Sequence, residues 1–428
     1  MKSAPPSPDL LSYDEAAALV GDCALRLGKS HRSVEAVELE RAVGRVLARP
    51  LQADLDQPPF ARSTRDGFAC RAAEACTHKF LTIAGTTRAG LAPDGPLPKG
   101  AAWEIMTGAP VPAGADAVAM LEHVEMEDGQ VRLPPPRKIE PGENIVAQGA
   151  QARAGDELLA AGTAIYSAQI ALAAACGCET LPVFARPRVA ILTTGDELVP
   201  VAALPGPGQI RNSNGPMLAA MVAAAGGEPW VLPTAADAAS ALDAALEQAA
   251  QADLLLITGG VSAGKFDLVE PALERAGARF HFTGIRIQPG KPLVFGEMPA
   301  RGAGAVQKEN GRKYFFGLPG NPISSAVTFL LFAAPVLAAL AGRRETAPRF
   351  SLARMAPHGE RHGKPGVTRF LPAYCNFSAQ DGQLPEVAFV PWHGSGDLGA
   401  LARSNCFLVV PETAHSLESG AIVRILLP

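Results

Sequence analysis

Four segments between residues 189 and 327 repeat one pattern, and this repetition constrains the fold more than any other feature of the chain. Each has an apolar strand-like run and a turn marked by Gly or Pro, usually followed by a helix. The segments are VAILTTGDEL (189–198), DLLLITGGVSAG (253–264), IRIQPGKPLVF (285–295) and YFFGLPGNPISSAV (314–327). Such alternation predicts an α/β domain with a doubly wound, mainly parallel sheet over residues 186–345.

The 428-residue chain exceeds what one hydrophobic core usually organises, so further domains are expected. Ser12 and Glu15 form a capping box that predicts an N-terminal helix, and a second helix is predicted over about 36–49. Residues 1–52 and 151–185 are assigned to one N-terminal helical and linking domain.

Two regions have a β-like texture. Short apolar runs separated by Gly and Pro predict an inserted β lobe over residues 53–150. The chain becomes β-like and Pro-rich again near its end, which predicts a small C-terminal β domain over residues 346–428.

Composition limits the classes of function. A net charge of −4 argues against a broad nucleic-acid surface. The seven cysteines show no paired metal-ligand spacing, and their odd number suits a reducing compartment. No export signal is visible, and the apolar run 326–342 contains Pro335, so a buried helix is expected rather than a membrane span. A cytoplasmic protein with no membrane partner is predicted.

Open α/β sheets bind ligands in a crevice at the carboxyl ends of their strands, and all four turns lie at such ends. We therefore expect the four turns to contribute residues to one crevice. Two turns offer backbone amides that lead toward helix N-termini, where anions are favoured. A single Gly-rich turn is more often only a turn, but two in one sheet favour an anion site. The predicted contacts are Gly259, Gly260, Ser262 and Gly264 in one turn, and Pro319, Gly320, Asn321, Pro322 and Ser324 in the other.

Charged groups flank these turns. Thr194, Gly195, Asp196 and Glu197 end the first strand, and Asp267 follows the first Gly-rich turn. Carboxylates beside a bound anion suggest a bridging cation or acid–base chemistry, although Asp196 as a helix cap is an equally good interpretation. Lys291, in PGKP, is predicted to supply positive charge, with a solvated lysine as the alternative.

The β lobe contains PPFARSTRDGFA (58–69), in which Asp66 precedes a glycine. An Asp-Gly turn explains Asp66 alone. It does not explain the neighbouring polar residues, which include Ser63.

Two glycine motifs resemble nucleotide-binding loops and are rejected. Gly259, Gly264 and Lys265 fit a P-loop, but Phe266 lacks the hydroxyl that binds Mg²⁺ there. The sequence GSGDLG (394–399) matches a dinucleotide-binding fingerprint, but too little chain follows it to complete the required sheet.

A longer set of motifs resembles one family. PPFARSTRDGFA, MTGAPVPAGADAVAMLE, PGENI, TTGDEL, IRNSN, TGGVSAGKFD, PGKP and GLPGNPISS occur in the order seen in the MoeA family of molybdopterin molybdenumtransferases, which includes the C-terminal domain of gephyrin. The match runs from about residue 10 to 428. It implies a central domain shaped like a molybdopterin adenylyltransferase, and an elongated homodimer.

The resemblance also implies the reaction. Molybdate and adenylylated molybdopterin are the expected substrates, the phosphoanhydride is hydrolysed with Mg²⁺ as cofactor, and molybdenum cofactor and AMP are released. By motif position, the implied catalytic residues are Asp66, Thr107, Glu197, Asp267 and Lys291, with Glu197 and Asp267 as Mg²⁺ ligands. Ser63, Asn214 and Asp237 are implied substrate-binding residues, together with those of the two turns.

Three residues depart from the family pattern. Gln151 replaces an acid found in some members, Gln288 replaces a frequent lysine or arginine, and Lys265 occupies a position that is often acidic. They put a residue-by-residue copy of the molybdate site in doubt. The alternative to an enzyme is a non-catalytic molybdopterin-binding scaffold, and molybdopterin adenylyltransferase and molybdoenzyme-maturation proteins are candidate partners.

Overall fold

The computed structural model describes residues 10–27, 32–260, 268–300, 311–357, 361–378 and 383–428. It begins with helix α1 (Tyr13–Leu27), followed by strands β1 (Val34–Glu38) and β2 (Leu51–Gln52). The predicted capping box is confirmed. The Glu15 carboxylate accepts a hydrogen bond from the Ser12 N–H (2.7 Å), and the Ser12 hydroxyl accepts one from the Glu15 N–H (3.2 Å).

The next segment is a β lobe built from short strands. Its elements are β3 (Arg62–Ser63), β4 (Gly67–Cys70), α2 (Ala72–Ala75), β5 (Leu81–Thr87), β6 (Ala101–Ile105), β7 (Ala117–Met120), β8 (Glu125–Glu127), β9 (Gln130–Arg132) and β10 (Ile145–Val146). One sheet has the order β7-β4-β6-β5-β9-β8. Phe68 and Ala102 belong to one buried cluster, and Trp103 and Ile105 to another, so apolar side chains pack on both faces of the sheet.

The chain then returns to its N-terminal part through β11 (Glu157–Leu159), α3 (Ser167–Ala175) and β12 (Thr180–Phe184). Strand β12 pairs antiparallel with β1, and β11 with β2. The helix predicted over 36–49 is therefore wrong. Pairing with β12 satisfies the backbone of Val34–Glu38, and Gly44, with φ of +77°, has a conformation that a helix cannot contain.

The α/β domain follows. Its elements are β13 (Arg188–Thr193), β14 (Leu198–Val199), β15 (Ile210–Arg211), α4 (Asn214–Ala224), β16 (Glu228–Val231), α5 (Ala239–Ala249), β17 (Leu254–Thr258), α6 (Val269–Arg275), β18 (Arg279–Thr283), β19 (Ile287–Gln288), β20 (Val294–Pro299), β21 (Arg312–Leu318), α7 (Pro322–Thr328) and α8 (Ala334–Leu340). The main sheet has the order β16-β13-β17-β21-β20-β18, and its first four strands are parallel. This confirms the predicted fold class.

Helices cover both faces of this sheet, which explains why its central strands are continuously apolar. Ile191 and Leu256 point into a core shared with α1, α4, α7 and α8. Leu192 and Ile257, one residue further along each strand, point into a second core shared with α5 and α6.

One of the four repeated segments does not contribute a parallel strand to the main sheet. Within 285–295, β19 leaves the main sheet, and β20 runs antiparallel to β21. Its PGKP turn therefore lies between β19 and the antiparallel strand β20, and does not follow a parallel strand of the main sheet. The turn still reaches the carboxyl edge of the parallel strands, because Val294 at the start of β20 pairs with Gly317 near the end of β21.

The long apolar helix lies in the protein interior. A π-helical turn, Phe329–Ala333, joins α7 to α8, so the helix runs from Pro322 to Leu340. It is long and apolar enough to span a membrane, but 83% of its most apolar window is buried inside the protein. This burial supports its interpretation as a core helix.

The C-terminal part contains β22 (Phe350–Met355), β23 (Arg361–His362), β24 (Thr368–Asn376), β25 (Glu386–Phe389), α9 (Leu398–Arg403), β26 (Cys406–Val410), β27 (Ser416–Leu417) and β28 (Ile422–Leu426). The strand order β24-β25-β22-β28-β26 closes on itself because β26 also pairs with β24. A closed sheet leaves no exposed edge among these strands. Strand β19 pairs with β24, which connects this barrel to the α/β domain.

Candidate active site

Three strand ends meet at the carboxyl edge of the α/β sheet. The Thr194 N–H, just after β13, donates to the carbonyl of Thr258, the last residue of β17 (3.0 Å). The Thr258 hydroxyl donates to the carbonyl of Pro319, which follows β21 (3.1 Å). The three turns therefore form one hydrogen-bonded unit, as their positions in the sequence predict.

The turn after β17 requires glycine at two positions. Gly259 and Gly260 have φ of +95° and +60°, a region that other residues rarely adopt. A Cβ at Gly259 would overlap the Thr194 carbonyl oxygen, and one at Gly260 would lie 2.8 Å from the Val269 side chain. A Cβ at Gly320 would lie 3.6 Å from the Gly259 Cα, so the second and third turns also pack closely. These glycines allow backbone to approach backbone at the strand ends.

Acidic side chains collect beside the first turn. Gly195 has φ of +140°, and the Glu197 side chain folds back over its Cα. The Asp237 N–H donates to an Asp196 carboxylate oxygen (3.0 Å). Burial, and then the negative charges of Asp196 and Glu197, raise the pKa of Asp237. The structure thus brings Asp237 next to the adjacent acids Asp196 and Glu197, about forty residues earlier in the chain.

Asn214, the first residue of α4, connects the second and third turns. Its Nδ2 donates to the Gly320 carbonyl (2.6 Å) and to the Thr258 hydroxyl (3.0 Å). Its Oδ1 and the Thr194 hydroxyl oxygen are buried, and neither has a hydrogen-bond partner in the described ranges. Buried polar atoms are normally satisfied, so two unpaired atoms in one site are unusual.

The turn before α7 is only partly available to a ligand. Asn321 occupies the N-cap position of α7, but its side chain makes no capping hydrogen bond. The Ile323 N–H donates to the carbonyl of Ser395 (3.0 Å), which leaves it unavailable to an anion. Ser324 lies within the first turn of α7 and is buried.

Ser395 belongs to the GSGDLG segment that resembles a dinucleotide fingerprint. The Asp397 carboxylate accepts from the N–H groups of Ala400 (2.9 Å) and His393 (3.1 Å), and these bonds lower its pKa. The segment is therefore a fixed loop that caps α9. Its contact with the α/β domain was not predicted, because no sequence pattern links residues 394–397 to 321–323.

Lys291 is exposed and lies in the turn that leads into the antiparallel strand β20, at the same edge of the sheet. Gln288, where the family often has a cation, pairs in register with Arg369 of the barrel. Burial lowers the pKa of Arg369.

In the β lobe, Asp66 and Thr107 form a pair of their own. One Asp66 carboxylate oxygen accepts from the Thr107 N–H (2.6 Å) and hydroxyl (2.8 Å), and these bonds lower the pKa of Asp66. Ser63 is buried, and its hydroxyl bonds to the backbone of Arg65 within the turn. The lobe thus presents an exposed, ionised carboxylate, and Ser63 shapes the loop that carries it.

The predicted residues Ser262, Gly264 and Asp267 lie outside the described residues, as do Lys265 and Phe266. Across the segments that the structure does describe, no three His, Cys, Asp or Glu side chains are grouped so as to hold a metal ion. A complete Mg²⁺ ligand set is therefore not visible in the described part of the site.

The fold is that of an α/β protein in which glycine turns and acidic side chains meet at the strand ends, and the comparisons give its family. Residues 11–177 match the MoeA N-terminal region (domain I and II), residues 190–339 match a probable molybdopterin binding domain, and residues 358–427 match the MoeA C-terminal region (domain IV). The chain belongs to the molybdopterin molybdenumtransferase family.

Relatives match over most of their length. The chain is 34% identical to the molybdopterin molybdenumtransferase of Nostoc sp., over 93% of this chain and 89% of the relative. It is 32% identical to that of Haemophilus influenzae, over 91% and 93%. A solved structure of the molybdopterin biosynthesis MoeA protein from Pyrococcus horikoshii is 29% identical, with a TM-score of 0.81 over 98% of this chain and all of that one.

Proposed function

We propose that this chain inserts molybdate into adenylylated molybdopterin, hydrolysing the phosphoanhydride and releasing molybdenum cofactor and AMP. The observation that carries this proposal is the joint arrangement of amide-rich turns and acidic side chains at one edge of the sheet. Relatives named for this activity match along nearly the whole chain, which supports the same conclusion.

The described residues suggest how the work is divided. The turns at Gly259 and Gly320 bring backbone close to the ligand, and Lys291 supplies positive charge at the same edge. We assign Glu197 as the acceptor of the proton of the attacking water. The water oxygen bonds to one phosphorus, the bridging oxygen leaves with the other phosphate, and AMP departs. In the lobe, Thr107 holds Asp66 ionised.

A Mg²⁺ ion fits the chemistry of these ligands. The acids near the first turn are hard oxygen donors, which Mg²⁺ prefers. Burial is the main cause of the raised pKa of Asp237, and the charges of Asp196 and Glu197 add to it, so a cation would relieve the repulsive part. Glu197 and Asp267 are the proposed ligands, and bound Mg²⁺ would neutralise charge on the phosphate oxygens.

We also propose that the protein is a cytoplasmic homodimer, with neither nucleic acid nor membrane as partner. An apolar groove formed by Met221, Phe329, Leu330, Ala334 and Ala338 offers surface for a second copy. Tyr166, which is 53% exposed, and Arg343, Arg344 and Arg349 lie along the same groove. Molybdopterin adenylyltransferase, which would supply the substrate, and maturation proteins, which would receive the product, are the proposed transient partners.

The test is consumption of adenylylated molybdopterin by the purified protein, with and without molybdate. We expect AMP release that requires both molybdate and Mg²⁺. Glu197→Gln should lower turnover by about 10²–10⁴-fold while leaving the thermal melt unchanged. Glu228→Gln, an exposed acid at the start of β16, is the matched control and should keep full activity. Substrate binding without molybdate-dependent turnover in the wild type would instead indicate the non-catalytic scaffold.

A further inference from the structure

Two buried polar atoms beside the turn after β17 have no hydrogen-bond partner within the described part of the chain. They are the Thr194 hydroxyl oxygen and Asn214 Oδ1. Thr194 is only 2% exposed. An unsatisfied buried polar atom is costly, and the cost is relieved when a ligand supplies the missing bond.

The two atoms belong to one location. The Thr194 N–H bonds to the Thr258 carbonyl (3.0 Å), and the Asn214 side chain bonds to the Thr258 hydroxyl (3.0 Å). Thr194 and Asn214 therefore both contact the last residue of β17. A Cβ at Gly260 would lie 3.0 Å from the Thr194 hydroxyl oxygen, so this hydroxyl lies against the glycine turn.

The orientation of the Asn214 amide follows from its partners. The Gly320 carbonyl can only accept a hydrogen bond, so the atom 2.6 Å from it must be the Asn214 nitrogen. The Thr258 hydroxyl uses the second Nδ2 hydrogen. Both donors are thus engaged within the protein, and the unpaired atom is an acceptor.

An acceptor at this point selects the chemistry of its ligand. Molybdate and the ionised phosphate groups of the substrate carry no hydrogen to donate, so their oxygens would be repelled by the lone pairs of Asn214 Oδ1. A ligand group with an N–H or O–H would satisfy it. Thr194 can donate or accept, and fits the same group.

We infer that Thr194 and Asn214 form a subsite for a neutral, hydrogen-donating part of the substrate, and not for an oxyanion. The inference rests on the proposed function, in which the substrate has two such parts: the N–H edge of the pterin and the ribose hydroxyls of the adenylate. The anionic groups then bind elsewhere along the strand ends. The amide-rich turn at Gly259 and Gly260 therefore lies next to a subsite, formed by Thr194 and Asn214, that binds an uncharged group.

Thr194→Val gives the sharpest test, because it replaces the unpaired hydroxyl with a methyl group of similar shape. Within the described residues this hydroxyl makes no hydrogen bond that the substitution would remove, so the melting temperature should stay the same or rise. Its affinity for molybdopterin or for AMP should fall about 3- to 10-fold. Its affinity for molybdate and for inorganic phosphate should stay within about twofold of wild type.

Thr193→Val is the matched control. The Thr193 hydroxyl is buried, and bonds to Thr234 Oγ1 (3.0 Å) and Asn212 Nδ2 (2.9 Å). The control should therefore melt at a lower temperature and bind every ligand as the wild type does. Opposite effects in adjacent threonines separate a ligand contact from a structural one.

Asn214→Ala and Asn212→Ala form a second pair. Asn212 Oδ1 accepts from the Gly215 N–H (3.0 Å), so this asparagine is satisfied internally. We expect only Asn214→Ala to lower the affinity of the protein for molybdopterin or for AMP. Loss of AMP affinity would identify the ribose as the donor, and loss of molybdopterin affinity the pterin.

Two results would overturn the inference. One is wild-type affinity for both organic ligands in Thr194→Val. The other is an equal loss of affinity for the inorganic oxyanions. All affinities are measured by calorimetry on the full chain in Mg²⁺ buffer, without turnover. A failure of the proposed function would appear separately, as absent molybdate-dependent AMP release by the wild type.

Discussion

Gly259→Ala tests whether the contact between the first two strand-end turns determines activity. Gly259 has φ of +95°, and its Cα hydrogen faces the Thr194 carbonyl oxygen. A methyl group there would come closer to that oxygen than 3.0 Å, a distance that real Cβ atoms do not reach. The oxygen belongs to the backbone, so no flexible side chain can move away. Either the turn or the end of β13 must move.

Two costs can be separated. A left-handed conformation costs a residue with a Cβ about 1–2 kcal/mol. The overlap requires a further displacement of about 1 Å at the site, and a displacement of that size costs about 10²-fold in rate. We therefore expect a modest loss of stability and a much larger loss of kcat/KM.

Gly226→Ala provides the matched control. Gly226 has φ of +91°, but a Cβ there would meet its nearest atom, Arg343 Nη2, at an ordinary 3.5 Å. It should show the conformational cost in urea unfolding without loss of turnover. If kcat/KM of Gly259→Ala lies within about threefold of that of Gly226→Ala, the strand-end geometry does not limit the reaction.

Two predictions concern the lobe. Thr107→Val keeps the backbone hydrogen bond to Asp66 but removes the hydroxyl bond, so the pKa of Asp66 should rise and the acid limb of the pH–rate profile should move to higher pH. An unchanged profile would exclude Asp66 as the titrating group. If the cleft joins Asp66 of one subunit to Glu197 of the other, mixed dimers of inactive Asp66→Ala and Glu197→Gln chains should recover about a quarter of wild-type activity. Purified hybrids as inactive as either parent would show that each cleft forms within one chain.

The sheet was predictable because its strands are covered on both sides. Apolar runs such as LLLIT at 254–258 bury alternate residues in two different cores. A strand buried on both faces is apolar at every position, so a short continuous apolar run identifies it although no apolar–polar alternation is present. The N-terminal strand β1 was not predictable in the same way. It is largely exposed, and its partner, Thr180–Phe184, lies far along the chain. Local helix propensity was misleading there because distant pairing decided the structure.

In the candidate site, too, some residues were predictable from local sequence and others were placed by distant contacts. Residues in strand-end turns, such as Thr194 and Gly259, could be found because parallel strands bring their carboxyl ends to one edge. Lys291 reached that edge for a different reason, since it precedes an antiparallel strand. The Ser395 carbonyl, which occupies the Ile323 N–H, was not predicted from sequence, because its contact depends on how the barrel docks.

The neutral residue Gln288 has a cationic neighbour that the sequence motif around it does not contain. By sequence alone, a neutral residue replaces a frequent cation, and the site loses positive charge. In the structure, β19 pairs with β24 of the barrel, and the residue in register with Gln288 is Arg369. Paired residues of neighbouring strands point to the same face of a sheet. A guanidinium is therefore carried on the adjacent strand, from a part of the chain that no PGKP motif includes. The charge near the PGKP turn therefore includes that of residues on every strand that pairs with β19 or β20.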